Sequence, residues 1–192
     1  ELNVTKKDAV AVRIDQSGKF PATTLIRAMD PKYSTDAAII REFYEVEKVV
    51  RKKSDPEAKF AAALSGAYAV GDILDEASGE PFVHSGDEIT EEQAEAIAAS
   101  GLKEVEVLRD PDDLLILTTL REDATSSHDE ALLKIYSRLR PGNPPLIEKA
   151  RELFNEKFFD ETRYRLGRVG RFRLNRKFAT EIPETKQTLA AE

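Results

Sequence analysis

The chain has 192 residues, with 29 Lys and Arg, 36 Asp and Glu, two His, one Met and neither Cys nor Trp, giving a net charge of −7. Lack of cysteine excludes disulfide scaffolds, thiolate zinc sites and cysteine nucleophiles, and the aliphatic run Leu114 to Leu117 is far short of a membrane span. The length suits one domain, or one domain with an inserted module, and a compact fold of this mass is expected to expose about 9,000 Å². No signal-peptide pattern is present, and the start at Glu1 without Met suggests a piece of something larger.

Val10 to Ile14 reads as a short strand, followed by a turn over Asp15-Gln16-Ser17-Gly18. Pro21 opens a helix from Ala22 to Met29, and Pro31 ends it. A second helix starts after Thr35, with an apolar stripe of Ile39, Ile40, Phe43, Val46 and Val50. Lys52 to Pro56 is a junction. Ala69–Leu74 and Pro81–His84 are predicted strands around an Asp75–Glu80 turn. Thr90 and Gln93 form a capping box for a helix over Glu91–Ser100, stopped by Gly101. Val105–Leu108 and Leu114–Leu120 are predicted as two more strands. Ser127 with Glu130 reads as a second capping box, for a helix whose face is Leu132, Leu133, Ile135, Tyr136 and Leu139, ended by Pro141-Gly142. Pro144 and Pro145 introduce the next helix, with Ile147, Ala150, Phe154 and Phe158 inward. A basic stretch follows, with Val169, Phe172 and Leu174 as its apolar positions, and the polar tail after Phe178 is expected to fray. The pattern gives an α+β fold. A helical domain (1–51 plus 119–180) is interrupted by a small strand-rich inserted module (52–118), with a polar tail at 181–192.

Charge divides along the same lines. Residues 1–51 are net +1, residues 52–118 net −11 and residues 119–192 net +3. Between 163 and 177 there are seven bases and no acid. One part of the molecule is suited to phosphate and another repels it.

No catalytic constellation emerges. Ser127-His128-Asp129 has triad residue types, but a triad needs convergence in space, and Ser127 already serves as a helix cap. His84 stands alone, and the two histidines make no metal centre. Asp72, Asp75 and Asp87 lie at turns, where a solvated acidic face is the plainer reading; a stand-alone hydrolase requires their convergence. Gly167-Arg168-Val169-Gly170 is too short for a phosphate loop. Arginines present planar multi-donor heads suited to phosphate. Tyr164 and Phe172 interleave with them, but stacking on bases needs exposed rings, and Phe172 reads as core.

Several strings resemble the lobe domain of the bacterial RNA polymerase β-subunit family. They are Val12-Arg13-Ile14-Asp15 with Lys19-Phe20-Pro21-Ala22-Thr23 and Leu25-Ile26-Arg27-Ala28; Ala131 to Tyr136 running into Arg138-Leu139-Arg140-Pro141-Gly142-Asn143-Pro144-Pro145; and Leu153-Phe154, Phe158-Phe159-Asp160, Arg163-Tyr164, Val169-Gly170-Arg171-Phe172 and Leu174-Asn175-Arg176-Lys177. The middle of the chain looks like the variable insertion of some bacterial lobes. The resemblance implies part of a DNA-directed RNA polymerase, a nucleotidyltransferase, in the bacterial cytoplasm at the nucleoid. It implies a wall of the DNA cleft facing the non-template strand and downstream duplex. It implies no catalytic residue and no cofactor here, since the Mg²⁺ is held by β′. Partners implied are DNA, the β′, α and ω subunits, σ factor and secondary-channel regulators at the insertion, with no membrane. The implied DNA-facing residues are Asp15, as acceptor for an unstacked base, with Arg140 and Arg163. Arg165, Arg168 and Arg171 of the basic stretch join them as candidate DNA contacts. Arg165 stands where relatives commonly have an acid, and Gly167-Arg168 replace small residues, so the local field is more positive than usual. The alternative is a non-enzymatic docking module for σ or regulators, its arginines paired with acids of neighbours.

Overall fold

The computed structural model describes residues 1–52, 56–163 and 165–188. Tyr164 and part of the 52–56 junction lie outside the described residues. The fold is α+β, with short antiparallel sheets among helices.

Strands β1 (Leu2–Val4), β2 (Val10–Val12) and β3 (Phe20–Pro21) form a sheet in that order. Pro21 ends β3 and begins α1 (Ala22–Met29). Its fixed φ suits a helix start, and its missing N–H costs nothing there. α6 (His128–Leu139) and α7 (Ile147–Phe158) pack on this unit, burying Val12, Ile14, Phe20, Ala28, Leu132, Ile135, Ala150 and Phe154 together. Ile147, Ala150, Phe154 and Phe158 face inward, as their 3–4 spacing requires.

α2 (Asp36–Phe43) is capped by Thr35, whose hydroxyl accepts from Ala38 N–H. It ends earlier than expected. Tyr44 is extended, Glu47–Val50 becomes strand β4, and Phe43 and Val50 are exposed rather than part of a buried stripe. An unanticipated helix, α3 (Glu57–Leu64), follows. β5 (Tyr68–Ala69), β6 (Ile73–Leu74), β7 (Pro81–Val83) and β8 (Glu104–Leu108) complete the strands, with β6 and β7 flanking the Asp75–Glu80 turn. β8 is central between β4 and β5. α4 (Glu91–Ala99) carries the reciprocal Thr90–Gln93 capping box, and α3, α4 and β8 enclose a core that includes Phe60, Leu64, Ile89, Ile97 and Val107.

Leu114–Leu120 is not a strand but most of α5 (Leu115–Glu122). A short apolar run fits either periodicity. Here Asp113 accepts from Leu115 N–H at 2.9 Å, and Leu117 and Leu120 pack one helical turn apart against Ile39, Ile40, Val70 and Leu108. Thr119 Oγ1 donates to Leu115 O and accepts from Val10 N–H at 2.8 Å, tying α5 to β2. Position 118 thus falls inside α5, and β4, before position 52, shares a sheet with β8.

Behind α1 lies a buried polar hub that sequence patterns gave no reason to expect. Arg27 is 1% exposed. Its guanidinium donates to Ser34 O at 2.6 Å, pairs with Asp36, and lies 3.5 Å from Asp123. Asp123 also accepts from the hydroxyls of Thr23, Thr24 and Thr125. The hub joins α1, the start of α2 and the end of α5. His128 belongs to the same wall: its Nδ1 lies 2.7 Å from Arg27 O, and its N–H donates to Ser34 Oγ. Ser127 caps α6 by accepting from Glu130 N–H, but the Glu130 carboxylate turns to Ser126, so the second capping box is half formed.

α8 (Arg168–Phe178) ends at Ala179, in the left-handed region at φ +52°. The following segment does not fray as far as Thr188. It returns along α8, with Asn175 Nδ2 donating to Ile182 O and Leu166 N–H to Gln187 O. The surface is 12,182 Å², about a third more than a compact monomer of this mass exposes.

Candidate nucleic-acid interface

Asp15 follows the β2 segment at φ +53°, a left-handed conformation that Asp tolerates better than most residues. The turn, closed by Ser17 N–H to Ile14 O at 3.1 Å, aims the carboxylate at the end of α7. There Lys157 Nζ donates to Asp15 Oδ2 at 2.6 Å. The Lys157 stem is largely covered, with the side chain 14% exposed, while Asp15 is 67% exposed. This is the usual arrangement of a lysine that packs its methylenes and keeps its head at the rim.

Arg163 arrives at the same place by a local device. Asp160 accepts from Thr162 N–H and Oγ1 and closes a turn with Arg163 N–H to Asp160 O. The Arg163 guanidinium pairs with Glu156, one residue before Lys157. The Lys157 hydrogen bond, then its charge, and more weakly the charge of Arg163 hold the Asp15 carboxyl below its ordinary value. Local hydrogen bonds lower Asp160 likewise, its Thr162 partner foremost. Beside them opens a shallow cleft of about 350 Å³, with Val12, Leu25 and Phe158 as apolar walls and Glu1, Arg13, Asp15 and Lys157 as polar ones. The arrangement presents a fixed carboxylate acceptor among cations at the mouth of an apolar recess. Such a recess suits a flat ring with a donor edge, and the cations suit a phosphate.

The other expected DNA-facing residues are distributed differently. Arg140 caps the C-terminal end of α6, exposed, with Nη1 donating to Leu139 O at 3.3 Å. The structure brings Asp15 and Arg163 together and leaves Arg140 at the end of α6. Arg165 is exposed, in a backbone bridge with Thr188. Arg168 is exposed, 3.7 Å from Glu184. Arg171, also expected to face DNA, is placed inward. It is 2% exposed, and its guanidinium donates to the carbonyls of Lys186 and Thr188. With its guanidinium committed to two carbonyls, it holds the returning segment. Phe172, read as core, is 53% exposed. Sequence reasoning missed Lys157, because nothing local connects position 15 with a position 142 residues later, and it missed Arg13 although that residue lies two positions before Asp15.

The carboxylates required by a hydrolase reading have other work. Asp72 accepts from Ser85 N–H, Asp75 caps its own turn through Ala77 and Ser78, and Asp87 pairs with Arg121. Among the described residues, no group of three His, Asp or Glu is placed to hold a metal ion, and no helix is long and apolar enough to cross a membrane.

Comparison with known proteins gives this geometry a context. The family described as RNA polymerase Rpb2, domain 2, matches residues 110–192. The DNA-directed RNA polymerase subunit beta of Rhodopirellula baltica is 53% identical over 193 aligned residues, covering 98% of this chain and 15% of that protein. Its counterpart in Protochlamydia amoebophila is 34% identical, over 93% of this chain and 14% of that protein. That of Citrifermentans bemidjiense is 32% identical over 239 aligned positions, more than this chain contains, so length varies within the matched region. The chain spans about a seventh of the length of these relatives. It belongs to the bacterial RNA polymerase β-subunit family, as a segment that includes Rpb2 domain 2.

Proposed function

We propose that this segment serves DNA-directed RNA polymerase as one wall of its DNA cleft, without catalytic residues or a cofactor of its own, and holds the displaced non-template strand beside the downstream duplex. The observation that carries the reading is the convergence of Asp15, Lys157 and Arg163 beside an apolar recess. Lys157, Arg163, Arg165 and Arg168 supply phosphate-directed charge, which fixes a strand in place without reading sequence. Asp15 supplies an acceptor for a base amino or imino donor, which adds selectivity. Keeping the displaced strand occupied disfavours reannealing and prolongs an open bubble. Assembly with the β′, α and ω subunits and with σ follows from the same reading, as does a place in the bacterial cytoplasm. The acidic segment 52–118, best kept away from DNA by its charge, is assigned to the outside of the cleft, within reach of secondary-channel regulators.

One observation favours a second reading. Arg163 and Arg168 already face Glu156 and Glu184 of this same chain, so their charge is partly offset before any strand arrives. That suits a protein-docking module for σ or regulators, its arginines turned to acids of neighbours rather than to DNA. Open-complex lifetime separates the two. In the assembled polymerase, Arg163→Ala shortens the lifetime and flattens its dependence on salt if the guanidinium meets phosphate. An unchanged lifetime across a salt series removes Arg163 from strand holding and favours docking.

A further inference from the structure

Helix α8 is built with its polarity reversed. Its one buried residue is Arg171, while Val169, at 69%, and Phe172, at 53%, stand in solvent. Positions 168, 172 and 176 form one row of the helix, and 169 and 173 the row beside it. Arg168, Phe172, Arg176, Val169 and Arg173 therefore share an exposed side. Past them the Phe178 ring is also exposed, with Lys177 Nζ 5.5 Å from its centroid. Arg171 anchors the opposite side to the returning 186–188 backbone, so the outward side has a fixed orientation. No acid occurs between 163 and 177, and Glu184, 3.7 Å from Arg168, offsets one cation of this side.

An exposed ring flanked by guanidinium groups needs a partner that offers flat π surface and negative charge together. An apolar protein surface would cover Phe172 and desolvate the Arg173 and Arg176 guanidinium groups beside it, at high cost. Single-stranded nucleic acid meets both needs, because each base has a π face and each linkage a phosphate. We propose that the outward side of α8 is a stacking platform for single-stranded nucleic acid, with Phe172 against a base and Arg168, Arg173 and Arg176 on the flanking phosphates. This rests on the polymerase reading and extends the strand's path beyond the Asp15 cluster.

The test uses polymerase assembled with the β subunit that carries this segment. Photoreactive benzoylphenylalanine is placed at position 172, and the DNA is a premelted bubble template with each strand labelled in turn. The platform predicts labelling of the unpaired strand that disappears on a fully paired template. Labelling of protein alone, equal labelling of duplex, or no labelled strand overturns it. Because Phe172 is exposed, Phe172→Ala leaves folding intact. It shortens bubble-complex lifetime about tenfold without altering the salt slope, and Phe172→Trp restores the lifetime. Equal lifetimes for wild type and Phe172→Ala also overturn the platform. If Arg163→Ala shortens the lifetime while Phe172→Ala does not, only the platform fails. If neither has an effect, the strand-holding reading fails with it.

Discussion

Lys157 Nζ donates to Asp15 Oδ2 at 2.6 Å, joining the end of α7 to the turn after β2 across 142 positions of sequence. The bond fixes one carboxylate of the candidate recess and favours its ionised form, since it is the largest cause of the lowered Asp15 pKa.

Replacing Lys157 by Met should raise the Asp15 pKa toward the ordinary aspartate value, as read by NMR titration of its carboxyl carbon. The sign of the stability effect follows from linkage. A carboxyl lowered in the folded state stabilises above its unfolded pKa, and that contribution is lost as pH falls through the folded value. The melting-temperature gap between wild type and Lys157→Met should therefore hold near pH 7 and narrow below about pH 4. A gap independent of pH would show that Lys157 acts by packing alone.

Asp123→Ala should be among the most damaging single changes, costing about 3–5 kcal/mol in urea denaturation. It leaves the buried Arg27 guanidinium short of a counter-charge and three threonine hydroxyls without their acceptor. A loss under about 1 kcal/mol would mean that water or Asp36 substitutes freely.

Val50 and Glu104 are register partners at the outer end of the β4–β8 pair. Residues 51–103 are therefore replaceable by an Asn-Gly turn, which closes a two-residue hairpin. The shortened chain should keep a cooperative melt at reduced temperature, because Ile39, Ile40, Leu108, Leu117 and Leu120 remain together. Excising 60–118 instead removes Leu117 and splits α5, and should unfold that cluster. Circular dichroism melts of both deletions check the contrast, and equal behaviour would contradict it.

Arg165 and Arg171 should behave differently in DNA-binding measurements over a salt series. Arg165→Ala removes an exposed cation and should lower the slope of log affinity against log salt by about 0.7. Arg171→Ala should leave the slope unchanged and speed amide exchange at Leu166, whose N–H donates to the Gln187 carbonyl in the segment that Arg171 ties down. A slope change at Arg171 equal to that at Arg165 would mean that the buried guanidinium emerges to meet phosphate.

Local signals were legible where one physical cause dominates. Pro21 opening α1, the Thr90–Gln93 box and the inward spacing of Ile147, Ala150, Phe154 and Phe158 all depend on neighbours in sequence. Leu114–Leu120 was not legible, because an apolar run of that length satisfies either a strand or a helix, and packing against Ile39 and Ile40 decides. The spacing of Val46 and Val50 suits a helical stripe, but the helix ends at Phe43 because β8 offers Glu47–Val50 a partner far along the chain. The same limit applies to the site. The family resemblance pointed to Asp15 and Arg163, but Lys157, the burial of Arg171 and the exposure of Phe172 all depend on segments brought together by the fold.

The most direct test of the strand-holding account is to place 4-thiothymidine along the unpaired non-template strand of an open complex and map the protein crosslinks to residues. The account predicts adducts within 13–15 and 157–168, next to Asp15, Lys157 and Arg163. Adducts confined to other parts of the β and β′ subunits, with none in these two stretches, would contradict it.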